Sequence, residues 1–140
     1  MTHRPWTRHL GVALVLAVAL TLFPMAAAPA ESTENSGPSV CRIDWRRGTW
    51  HVRKLIRCAA NHYDIGVRTS LDIAFRESRY QPRAFNASTC AKGIYQHLCR
   101  YWPDRADAFG FDDRSAFNAR ANIMVTMRMV RRYGWAPWGG

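Results

Sequence analysis

Four cysteines, Cys41, Cys58, Cys90 and Cys99, fall in the stretch after residue 40 of a 140-residue chain. An even number of cysteines behind an apolar N-terminal run marks an oxidising compartment and two disulfides. Three pairings are open, and sequence alone does not choose between them. The pairing Cys41–Cys58 with Cys90–Cys99 is favoured because each bond closes a short local loop. A loop of about fifteen residues stabilises by about 3 kcal/mol in the chain-entropy model. A domain of this size buries only a modest core, so such staples are useful. The rival use of Cys90, His97 and Cys99 as a zinc site fits no common ligand spacing. No metal and no organic cofactor are expected.

The N-terminal run itself bounds the domain. Arg4 and Arg8 precede an apolar stretch over residues 10–23, and Ala28-Pro29-Ala30 supplies small residues at a cleavage position. That is the form of a secretory signal peptide over residues 1–30. The run is shorter than the roughly 20 residues a membrane helix needs, so no stable membrane insertion is expected. Residues 31–40 are polar, with Ser, Asn, Gly and Pro and no apolar period. They read as a disordered linker. A single domain over residues 41–140 follows.

The net charge is +10, and the first thirty residues hold only two of the twenty Lys and Arg and none of the acids. An excess cation density of this kind speaks of partners rather than of fold. Nucleic acid, anionic lipid and anionic wall polymer all suit it. Export argues against nucleic acid and leaves the cell wall, with the protein secreted as a monomer.

Apolar periodicity gives the helices. Val52, Leu55, Ile56, Ala59 and Ala60 recur at the spacing of an amphipathic helix over residues 49–63. Trp45 and Trp50 are assigned to core packing. Ser70 is placed as the N-cap of a second helix, with Asp72 in its first turn and Leu71, Ala74, Phe75 and Ser78 on one face. Glu77, the only glutamate after Glu34, falls at the edge of that face, near the helix end before Pro82. Burial there would raise its pKa, which suits a general acid. The plainer use of Glu77 is an ion pair with Arg76, Arg79 or Arg83. Asp72 lies about 140° away around the helix and makes no carboxylate pair with it.

Beyond residue 82 the reading is a loop over residues 83–91, a short helix over residues 94–102 and a polar loop over residues 103–116. The last of these carries Asp104, Asp107, Asp112 and Asp113, any of which is open as a second carboxylate. A final helix over residues 118–133 shows Ala119, Ile123, Met127 and Val130 as its buried stripe, with Gly134 closing it. No strand-like alternation of any length is present. The fold class is therefore mainly α, in one small domain with two disulfides.

Several short motifs occur in order: Glu77-Ser78 at a helix end, Pro82, Asn86-Ala87-Ser88, Gly93-Ile94-Tyr95-Gln96, Ala121-Asn122-Ile123, and Gly134-Trp135-Ala136-Pro137-Trp138. Together they resemble the soluble lytic transglycosylases and their lysozyme-like relatives, particularly small secreted actinobacterial members, over residues 50–140. The resemblance implies a lysozyme-like helical domain and, as substrate, the glycan strands of peptidoglycan. It implies cleavage of the β-1,4 bond between N-acetylmuramic acid and N-acetylglucosamine, with Glu77 as acid and then base. Gln96 would lie near Glu77 in the sugar groove, and Tyr95 beneath a sugar ring or in ordinary packing. Ser78, Asn122 and Trp135 would complete the substrate-binding set, Asn122 through a structural or groove-lining hydrogen bond. The chain lacks the Ala-Tyr-Asn-Ala-Gly motif of larger members, so a hydrolytic muramidase is one alternative outcome. A wall-binding protein without turnover is the other, and a membrane-disrupting basic peptide fits the cysteine-stapled pattern least.

Overall fold

The computed structural model describes residues 40–139. The expected signal peptide and, except for Val40, the expected linker lie outside them. Four α-helices dominate: α1 (Thr49–His62), α2 (Val67–Ser78), α3 (Trp102–Asp107) and α4 (Ala119–Tyr133). Three two-residue strands, β1 (Phe85–Asn86), β2 (Ala91–Lys92) and β3 (His97–Leu98), form one antiparallel sheet in chain order. The fold is mainly α, as expected, and both disulfides are those favoured: Cys41–Cys58 and Cys90–Cys99. Among the described residues, no helix is long and apolar enough to cross a membrane.

The centre of the domain is α4. Ten of its residues are buried, from Ala119 to Val130, which exceeds the single stripe expected. A helix covered on nearly every side is a core helix, and α1 supplies much of the cover, with α3 adding a smaller share. Val52, Leu55, Ile56, Ala59 and Ala60 of α1 are fully buried, as their spacing predicts. Asn118 caps α4 by accepting from the Ala121 N–H at 3.1 Å. Such a cap contributes about 1 kcal/mol. The polar residues inside α4 are satisfied: Thr126 donates its hydroxyl to Asn122 O at 2.7 Å.

The second helix starts four residues earlier than expected. Gly66 precedes it, and Ser70 lies inside it, fully buried, with its hydroxyl donating to Gly66 O at 2.9 Å. That bond to the preceding turn lets a serine face the core, where it also meets Met127 Sδ. Ser70 is thus not the N-cap, and Asp72 is not in the first turn. Phe75 is 49% exposed and Trp50 59% exposed, so neither joins the core as expected. Each lies with a cation over its ring, Arg79 on Phe75 and Lys54 on Trp50. Trp45 does pack against the core in part.

The largest correction concerns residues 91–107. Residues 94–102 do not form the continuous helix expected: only a 3-10 turn over Cys99–Tyr101 and the first residue of α3 are helical there. Cys90 and Cys99 instead clasp a hairpin in which Ala91 pairs with Leu98 and Lys92 with His97. The Cys99 N–H donates to Cys90 O at 2.8 Å. Strands of two residues leave no alternation to detect, and the disulfide supplies the closure that strand length does not. The helix comes afterwards, as α3, inside what was expected to be a loop. Pro103 opens it at a first-turn position, where a missing N–H costs nothing.

Candidate functional site

Four segments enclose an open cleft of ≈ 610 Å³. The C-terminal end of α2 contributes Arg76 and Glu77 to its lining. The sheet region contributes Asn86, Thr89, Ala91, Gln96 and Leu98. Arg105 of α3 and the closing turn around Trp138 complete it. Glu77 is the one carboxylate among these lining residues; none of the four loop aspartates is there.

Glu77 reaches the cleft because α2 ends beside it. Arg79 adopts a left-handed conformation (φ 52°) as C-cap, and its N–H returns to Phe75 O at 2.8 Å. The Glu77 side chain is 26% exposed and is not enclosed as the sequence led one to expect. Its Oε1 accepts from Arg76 Nε at 3.2 Å and Nη2 at 3.1 Å. Arg76 Nη2 also donates to the Trp138 carbonyl. One guanidinium therefore ties the end of α2 to the closing turn. Ser78, proposed as substrate-binding, is buried with its hydroxyl donated to Ala74 O at 3.1 Å and does not line the cleft.

Gln96 lines the same cleft as Glu77. Its amide nitrogen donates to Gly93 O at 2.9 Å and to Ala84 O at 3.3 Å, which leaves the amide oxygen as an acceptor for a ligand. The tight turn before it needs Gly93, at φ +79°. A Cβ there would come within 2.2 Å of Ala116 O and 2.4 Å of Asn122 Nδ2.

Tyr95 and Asn122 lie behind the cleft wall. Tyr95 is fully buried, and its hydroxyl donates to Ser70 O at 2.9 Å, so its ring has no free face for a sugar. Burial raises its phenol well above the ordinary range. Asn122 is also fully buried. Its oxygen accepts from the Tyr95 N–H at 2.9 Å, and its nitrogen donates to Ala116 O at 2.9 Å and Lys92 O at 3.2 Å. Its role is structural: one amide joins α4 to the hairpin and to the loop before α4. Trp135 is also displaced from its expected place. It packs against Tyr95 and Trp138 at centroid distances of 6.0 and 5.7 Å, and Trp138 is the tryptophan that lines the cleft. Trp138 is set by its indole N–H, which donates to Tyr95 O at 2.8 Å.

The opposite wall holds a polar chain absent from the sequence expectations. Arg105 Nη1 lies 3.0 Å from His97 Nδ1, and His97 Nε2 lies 2.8 Å from Thr126 Oγ1. Arginine only donates, so Nδ1 accepts, and the imidazole proton sits on Nε2 and is given to Thr126. Thr126 in turn donates to Asn122 O. His97 is 1% exposed, and burial first, then the Arg105 charge, lowers its pKa from 6.5 to about 3. No residue spacing signals this chain, since His97, Arg105 and Thr126 come from three separate elements.

Comparison with family models, curated proteins and solved structures returns no match.

Proposed function

We propose that the protein is a secreted enzyme that cleaves peptidoglycan glycan strands, a lytic transglycosylase acting through Glu77. The observation that carries this reading is one carboxylate in an open polar cleft, with Gln96 in the same lining and no aspartate there. A one-carboxylate site suits intramolecular transfer, whereas most glycoside hydrolases use a carboxyl pair. Protonated Glu77 gives its proton to the glycosidic oxygen as the C1–O bond breaks. The resulting carboxylate takes the proton of the muramic acid C6 hydroxyl as that oxygen bonds to C1. The product is a 1,6-anhydro sugar, and the enzyme recovers its starting proton. Arg76 has a second acceptor in the Trp138 carbonyl, which retains the guanidinium while Glu77 changes charge. The basic chain favours an anionic wall, and the two disulfides suit an exported protein.

The Arg76–Glu77 ion pair favours one second reading, a wall-binding protein without turnover. Mass spectrometry of soluble products from purified cell walls separates the two. Soluble products one water lighter than hydrolytic fragments, missing with Glu77→Gln, are expected. Reducing-end products at the hydrolytic mass would make the protein a muramidase. Wall binding with no product from folded wild type would leave the binding module.

A further inference from the structure

The cleft carries one guanidinium held entirely by neutral partners. Arg105 donates to His97, lies with its guanidinium carbon 5.1 Å from the Tyr101 ring centroid, and forms an ion pair with no carboxylate among the described residues. Arg76, in the same cleft, is different, because its charge is already matched by Glu77. An arginine has five N–H donors, and the bond to His97 occupies one. A cation fixed in this way, and left with its charge unmatched, is built to receive an anion.

We propose that Arg105 binds a carboxylate carried by the substrate and that His97 is the positioning residue that aims it. This rests on the glycan reading of the cleft. In such a strand the muramic acid residue alone carries a 3-O-lactyl arm. That arm ends in a free carboxylate in naked glycan and continues into a carboxylate-bearing peptide where a stem is attached. Glucosamine residues carry neither. A single aimed guanidinium in the cleft that holds Glu77 therefore distinguishes the two sugars and sets which one lies across the reacting bond.

The choice of imidazole as anchor has a reason. A carboxylate anchor would cancel the guanidinium charge before substrate arrived. His97 is buried and neutral, its Nδ1 lone pair is aimed by the Nε2–H bond to Thr126, and Thr126 is fixed to the backbone of α4. The anchor thus fixes direction without consuming charge.

The test uses disulfide-intact protein carrying Glu77→Gln, so that binding is read without turnover. Three probes of equal length are titrated calorimetrically: peptide-free muramic acid–glucosamine oligosaccharide, the same strand with peptide stems, and an N-acetylglucosamine oligomer. Adding Arg105→Met is expected to weaken the carboxylated probes by about ten-fold or more and leave the N-acetylglucosamine oligomer within about two-fold. A loss confined to the peptide-free probe assigns the lactyl carboxylate; one confined to the stem-bearing probe assigns the peptide. Equal losses on all three probes, or none, overturn the role of Arg105 while leaving glycan binding intact. Failure of the parent to bind any probe overturns the glycan reading and this proposal together. His97→Gln keeps an acceptor for Arg105 and a donor for Thr126 and should keep the preference for carboxylate. His97→Leu should lose it, with melting temperature measured alongside. A preference retained in folded His97→Leu overturns the positioning role, and the Arg105→Met and His97→Gln results decide the matter should His97→Leu fail to fold.

Discussion

The helical core and the cleft wall of this small domain are held by different means. In α1 and α4, close-packed aliphatic and methionine side chains share the burden, and each buried residue touches several others. Between residues 84 and 99, strands of two residues are held by one disulfide, one asparagine amide, one glutamine amide and one glycine. The core is redundant and the wall is not. Damage to the core should lower the stability of the whole, whereas damage to the wall should disable the cleft more than it unfolds the chain.

The sharpest way to break that contrast is Glu77→Gln. It removes a placed acid and base, so wall-degrading activity should fall by ~10²–10⁴-fold or more, while the melting temperature scarcely moves. A matching fall in melting temperature would make Glu77 a structural residue. Leu55→Ala should do the reverse, costing about 2–5 kcal/mol in denaturant unfolding through a cavity against α4, with cleft binding retained in the folded fraction. Replacing Cys90 and Cys99 together by serine should cost about 2–3 kcal/mol in the chain-entropy model. Its loss of glycan binding should exceed that of the corresponding change at Cys41 and Cys58. Equal binding losses from the two pairs would erase the distinction drawn between wall and core.

A smaller effect separates the buried histidine from the surface ones. The folded state holds His97 neutral down to about 3, whereas an unfolded histidine takes up a proton near 6.5. The unfolded chain therefore binds more protons between these values. The contribution of neutral His97 is complete above pH 6.5 and is lost as pH falls toward 3, at roughly 1 kcal/mol per pH unit. Denaturant midpoints measured from pH 6.5 to 4.5 should show this slope, and His97→Gln should flatten it. An unchanged slope in that variant would place the proton uptake elsewhere.

The same contrast explains what could be read from the residues. α1 and α4 were legible because packing a helix into a core imposes a period, and Val52, Leu55, Ile56, Ala59 and Ala60 keep it. Glu77 was legible as the only glutamate of the domain and the head of an ordered set of motifs. The hairpin was not, since its two-residue strands are fixed by a cysteine pair and by Asn122, which is contributed from α4. The expected loop over residues 103–116 hid α3, because Pro103 fits a first turn only once the start of that helix is known. In the sequence Tyr95 is open between sugar contact and packing, and Trp135 falls in the binding set, because an aromatic beside a groove and one behind it look alike in one dimension. Arg105 gave no signal, because its meaning comes from His97 and Thr126, which reach it from β3 and α4.

The contact between Gly93 and Asn122 has a consequence for how such a chain can drift. Adding a methyl group at Gly93 drives it into the Asn122 amide and the Ala116 carbonyl. Shrinking Asn122 to make room strands the Tyr95 N–H and two carbonyls. Each single step is thus closed for its own reason, and neither change prepares the way for the other. The two positions behave as one inherited unit, twenty-nine residues apart, around which the surface of the cleft is free to vary.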